Sequence, residues 1–136
     1  MAAGYSGTPL AKKLGVKPGH TMAILDEPAG FREWLAPLPD DVRLRKTIGR
    51  APDIVVVFST RRDQLERRVE EAAAAIFPDG SIWVGWPKKS SGVVTDITED
   101  VVREVALPLG LVDTKVCAIS DVWSGLRVVW RKERRT

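Results

Sequence analysis

Two lysines and two serines, Lys88, Lys89, Ser90 and Ser91, follow directly on the run Ile82-Trp83-Val84-Gly85-Trp86-Pro87. Ammonium groups beside hydroxyls can hold an anion or pair with a carboxylate. The run before them is β-branched and aromatic, as a buried strand requires, and Pro87 ends it because proline has no N–H and a fixed φ. A polar tip on a buried strand is how an open α/β sheet presents groups to a ligand. Asp26 ends the apolar run Thr21–Leu25, while Asp121, Trp123 and Ser124 fall in the short segment Ser120–Gly125. With Trp86, Lys88, Lys89 and Ser90 they form the candidate ligand- or partner-binding set. Lys88 paired with Asp26 or Asp121, or meeting an anionic ligand, is one reading. Solvated loop groups held by internal salt bridges are the other.

A second candidate lies at the start of the chain. Gly4-Tyr-Ser-Gly-Thr-Pro9 precedes a helix-start signal, with Thr8 as N-cap, Pro9 at the first helical position, and Lys12 and Lys13 just behind. Free N–H groups there favour an anion, which makes Ser6, Gly7 and Thr8 anion-binding candidates. The spacing does not match a phosphate loop, and a simple cap explains the same residues.

Other chemistry is thin. The one histidine, His20, gives neither a triad nor a His/Cys metal cluster, and no nucleophile–base pair with a third orienting group is visible. No catalytic residue, metal or cofactor is expected. The one cysteine, Cys117, sits within an apolar strand and reads as a packed thiol; it excludes an internal disulfide and fits a reducing compartment. Lys+Arg 21 against Asp+Glu 18 leaves a net charge of only +3, too weak a field for a typical nucleic-acid footprint. No apolar run has the length of a membrane span, and no signal-peptide pattern opens the chain, so a cytosolic protein is expected.

The elements that must position these groups follow from periodicity and turn chemistry. Strands are expected at Thr21–Leu25, Asp53–Phe58, Ile82–Trp86, Val112–Ile119 and Leu126–Arg131. Short helices are expected over Leu10–Leu14 and Phe31–Leu35. A longer helix should follow Ser59, capped by Thr60 with Asp63 in a capping box and buried along Leu65, Val69, Ala72, Ala73 and Ile76. Another starts at Thr98, with Val101, Val102, Val105 and Ala106 inward. Val42–Ile48 is ambiguous: the link Gly49–Pro52 is too short for a standard parallel crossover, which leaves an antiparallel edge strand or a loop. The last two strands must form a hairpin. Residues 1–131 read as one three-layer Rossmann-like α/β domain, with a mostly parallel sheet of five or six strands, and 132–136 as a flexible basic tail.

From Asp53 to Arg131 the order of elements resembles the C-terminal half of the Rossmann-like methyltransferase fold, whose last two strands form an antiparallel hairpin. The resemblance implies a glycine-rich cofactor loop after the first strand and a ribose-binding acid at the end of the next. Here the first loop reads Leu25-Asp-Glu-Pro-Ala-Gly-Phe31, and no acid matches the second position. The whole chain also resembles a bacterial family known as domain of unknown function 3052. That likeness rests on Gly4–Gly15, Trp86-Pro-Lys88, Thr95-Asp96, Val112–Ile119 and Trp123-Ser-Gly125, and it implies no activity. The expected function is a non-catalytic binding or regulatory module using the C-terminal rim of its sheet for a protein partner or small anionic ligand. A divergent methyltransferase-like enzyme using the same rim is the alternative. A weak nucleic-acid binder acting through Arg61–Arg68 and the tail is a third reading, with nucleic acid the unlikely partner. Monomer and homodimer both remain open.

Overall fold

The computed structural model describes residues 7–136, so Ser6 lies outside the described residues. Its six strands are β1 (Thr21–Leu25), β2 (Arg43–Arg45), β3 (Ile54–Phe58), β4 (Ser81–Pro87), β5 (Leu111–Ala118) and β6 (Trp123–Trp130). They lie side by side in the order β2-β1-β3-β4-β6-β5. The first four are parallel, and β6 and β5 add an antiparallel pair beyond β4.

Helices cover both faces. The short α1 (Leu10–Lys13) and α2 (Phe31–Leu35) lie on one side, and α3 (Arg62–Ile76) and α4 (Glu99–Ala106) on the other. Strand alternation divides the core accordingly. Ala23, Leu25, Val55, Val57, Ile82 and Val84 meet α3 and α4, while Met22, Ile24, Val56, Phe58 and Trp83 meet the α1–α2 side. Every residue of β3 is buried, which is why it reads as an unbroken apolar run. The buried stripe of α3 is the expected one.

Four local expectations need correction. Arg43–Arg45 is neither antiparallel nor a loop: it pairs in parallel with β1, through Thr21↔Arg43 and Ala23↔Arg45. The short return is feasible because β2 stops level with Ala23, and β3 starts level with Met22, only one residue lower. Arg45 holds the return in place, donating from Nη1 to the carbonyls of Ile48 (3.1 Å) and Arg50 (3.2 Å).

The caps also differ. Pro9, not Thr8, occupies the N-cap of α1, with no side-chain cap bond. Arg61 occupies the N-cap of α3, and Thr60 caps nothing; its carbonyl accepts instead from Thr95 Oγ1 at 2.7 Å. The first free amide of α3, Arg62 N–H, donates to Asp96 Oδ1 at 2.7 Å across 34 residues. α4 starts where expected, with Thr98 as its N-cap accepting from Val101 N–H. Trp123–Gly125 is strand rather than loop. At the C-terminus, Lys132–Arg134 makes a 3-10 turn and Arg135 donates to the Trp130 carbonyl at 2.8 Å.

Candidate functional site

β1 hands the chain to α2 on one face and β3 hands it to α3 on the other, so the topological switch point lies between the C-terminal ends of β1 and β3. That crevice is where an open α/β sheet takes its ligand. Here the protein's own side chains cross it. Asp26, just after β1, adopts a left-handed φ of 57°. Its Oδ2 accepts from Arg68 Nε at 3.1 Å and from Gln64 Nε2 at 3.2 Å. Gln64 Oε1 in turn lies 3.1 Å from the hydroxyl of Ser59, the buried residue that follows β3. Asp26 is therefore bound to α3 and not to Lys88. With about a third of each side chain exposed, the Asp26–Arg68 pair contributes about 0–1 kcal/mol. Its importance is that it bridges the loop after β1 to α3.

The α1–α2 side of the same rim is filled by rings. Trp34, Phe31, Phe58 and Trp123 stack edge to face in sequence, with centroids 6.1, 4.9 and 5.1 Å apart. Gly85 and Gly125 face each other across β4 and β6 beneath this row. A Cβ on Gly85 would come within 2.9 Å of Phe58, and one on Gly125 within 2.9 Å of Ile119. The two glycines let the rings and Ile119 lie directly on the sheet.

The structure separates the candidate set. Trp86 is buried against α3 and α4, whereas Trp123 packs on Phe58 on the opposite face, so the two tryptophans do not converge. Ser124 is a ladder residue between Trp86 and Ala118. The Lys88 backbone N–H donates to the Val122 carbonyl at 2.7 Å, tying the strand tip to the β5–β6 turn. Ser91 Oγ donates to the Lys88 carbonyl at 2.6 Å. Lys89, Ser90 and Asp121 are exposed. Neither Lys88 nor Asp121 makes an ion pair among the described residues. Gly7 and Thr8 precede a helix of four residues, which offers an anion few aligned peptide dipoles.

Open space at this rim lies one strand away from the switch point. A cavity of about 620 Å³ is lined by Asp26, Glu27, Pro28, Gly30, Arg32 and Lys46, among others. Both carboxylates are already engaged, Asp26 by Arg68 and Glu27 by Arg32 at 3.0 Å. Lys46 makes no ion pair among the described residues, so it carries the uncompensated charge of the cavity wall. Sequence reading missed Lys46, Arg68 and Gln64. An arginine inside a regular helix gives no local hint of the loop it will reach.

Ion pairing is dense around α3 and α4. Arg62 bonds Glu104 at 2.7 Å, which raises its pKa, with Glu66 adding to the effect. Arg103 is bonded by Glu99, Asp113 and Asp100, and its pKa is raised by Glu99 first and Asp113 next. Asp63 is held below its usual range, chiefly by the Gln64 backbone N–H. Among the described residues no group of three or more His, Cys, Asp or Glu side chains is placed to hold a metal. No helix of the described chain is long and apolar enough to cross a membrane.

Sheet order, helix placement and terminal hairpin define a Rossmann-like fold of the methyltransferase type. Solved structures share it. A putative methyltransferase from Thermoplasma acidophilum superposes with a TM-score of 0.58 at 10% identity, over 92% of this chain and 75% of that one. A SAM-dependent methyltransferase from Aquifex aeolicus gives 0.57 at 13% identity, over 88% and 86%. Precorrin-6y C5,15-methyltransferase from Geobacter metallireducens gives 0.56 at 10%, over 90% and 86%. At these identities the likeness is one of fold. No family model and no curated protein matches the chain, so the likeness to family 3052 rests on its motifs alone.

The residues present do not fit the S-adenosylmethionine that this fold implies. Pro28 has no N–H to offer in the loop after β1. The loop's one glycine, Gly30 (φ 90°), faces the Trp34 indole, where a Cβ would lie 3.1 Å from Nε1. β2 ends in Arg45, followed by Lys46, where a ribose-binding acid is implied. The crevice between β1 and β3 is bridged by Asp26, Gln64 and Ser59.

Proposed function

We propose that this chain uses a methyltransferase-type scaffold as a non-catalytic binding module, taking a small anionic ligand in the cavity beside the ends of β1 and β2. The observation that carries the reading is the polar bridge Asp26–Gln64–Ser59 across the switch point, backed by Arg68. It ties α3 to the loop after β1 and leaves the cavity beside the ends of β1 and β2 open, where Lys46 makes no ion pair among the described residues. Lys46 supplies the attraction for an anion, and the engaged carboxylates do not oppose it. Cytosolic residence is part of the same reading, supported by the single unpaired cysteine.

A second reading, a divergent methyltransferase-like enzyme, draws its support from the fold, which it shares with the methyltransferases named above. A nucleic-acid surface along Arg61–Arg68 is disfavoured, because Arg61, Arg62 and Arg68 are each engaged by carboxylates.

Thermal unfolding with S-adenosylmethionine and S-adenosylhomocysteine separates the first two readings. A ligand that binds only the folded state raises Tm by mass action. We expect no shift for either compound, and a shift from a panel of small anions that Lys46→Ala removes. A rise in Tm with S-adenosylmethionine would replace the binding-module reading with the enzyme.

A further inference from the structure

At the opposite end of the sheet, where β3 and β4 begin, lies a second cavity of about 350 Å³. Leu14, Ile76 and Phe77 give it an apolar wall, and Lys17, His20 and Arg127 stand around it. Arg127 is the odd residue. It lies on β6, with Lys115 directly opposite on β5 and Trp83 beside it on β4. Like charges facing each other across an antiparallel pair destabilise it. Its guanidinium donates to Thr114 Oγ1 at 3.1 Å and makes no ion pair among the described residues. Burial, with Arg135 nearby as the lesser cause, lowers its pKa. A part-buried charge without a counter-ion is costly to fold around, and a bound anion removes that cost.

The two carboxylates at this cavity do not supply the counter-ion. Asp53 Oδ2 accepts the Thr21 N–H at 2.8 Å, and Asp79 is exposed without an ion pair among the described residues. The Lys17 amide donates to His20 Nδ1 at 3.1 Å, and Nε2 of the ring makes no hydrogen bond among the described residues.

We propose that this cavity binds a small organic anion, its carboxylate or phosphate head held by Arg127 and Lys17 and its apolar body against Leu14, Ile76 and Phe77. The site is separate from the rim cavity and does not depend on the function proposed for it.

NMR titration of the ¹⁵N-labelled protein with inorganic phosphate and with hexanoate, at constant ionic strength, tests this and locates the ligand. One or both probes should shift Lys17, His20, Gly80 and the Arg127 Nε–H, and leave Glu27–Gly30 unmoved. A response to phosphate alone assigns a phosphate head, and one to hexanoate alone assigns a carboxylate with an apolar tail. Arg127→Gln should weaken binding by about tenfold or more, since a charged hydrogen bond is lost. The exposed Lys17→Gln, which leaves the strand pair intact, should weaken it by a smaller factor. No shift with either probe, shifts confined to Glu27–Gly30, or undiminished binding by both variants overturns the proposal.

Discussion

The two ends of the sheet solve the same electrostatic problem in opposite ways. At the C-terminal rim and along α3 and α4, arginines meet carboxylates: Arg32 with Glu27, Arg68 with Asp26, Arg62 with Glu104 and Arg103 with Glu99. At the N-terminal end and along β5–β6, Lys17, Lys115 and Arg127 make no ion pair among the described residues. The end that the fold reserves for ligands is the one whose crevice is bridged by side chains. The opposite end has a second cavity and a part-buried guanidinium that makes no ion pair among the described residues.

The largest effect should come from Trp83, which underlies both halves. It is fully buried, and its Nε1 donates to the Leu14 carbonyl at 3.0 Å, fixing the segment that walls the N-terminal cavity. Trp83→Ala should cost about 3–5 kcal/mol in urea unfolding. A cost below about 1 kcal/mol would mean that the α1 segment does not depend on β4 as described.

A medium effect tests how the C-terminal rim is closed. Asp96→Ala removes the long-range cap on α3 and should cost about 1 kcal/mol. Thr60→Ala, at the position local sequence favours for the cap, should stay within about 0.5 kcal/mol, as substitutions away from special contacts do. Equal costs in urea unfolding would return the cap to Thr60 and remove one tie between α3 and the Gly92–Thr98 loop.

The smallest effect reads the unpaired cations directly. Burial raises the Cys117 thiol pKa, and Lys13 and Lys115 partly offset the rise. Alkylation of the native protein at pH 8 should therefore run slower than that of the unfolded chain, because the thiolate is the nucleophile. Lys13→Ala should slow it further. The folded state holds the proton more tightly than the unfolded state. The resulting stability is present below the unfolded thiol pKa and is lost as pH rises through the folded value. Equal alkylation rates in native and unfolded protein would contradict the burial.

Much of the fold is legible in the residues. The all-apolar Ile54–Phe58, the stripe of α3 and the start of α4 at Thr98 are local patterns, and each forms where its pattern says. β2 was hidden because its return to β3 depends on the stagger between strands, which no linker length reveals. The candidate site was legible only in part. Asp26 does stand at the switch point, but its partners Gln64 and Arg68 come from a helix 38 and 42 residues away. The tip Lys88–Ser91 does follow a buried strand. Its backbone joins the β5–β6 turn, while Trp86 and Trp123 point to opposite faces.

By itself, the sequence determined that this is an α/β chain with a buried central sheet and a terminal hairpin, because periodicity and turn chemistry act over a few residues. It also determined that the loop after the first strand lacks the glycines of a cofactor loop. Only the tertiary structure decided that Asp26 bridges the switch point, that four aromatic rings fill the face beside it, and that Arg127 lies part-buried with no carboxylate partner among the described residues. Those outcomes depend on which distant side chains the packing brings within a few ångströms, and charge pairing acts through that distance rather than along the chain.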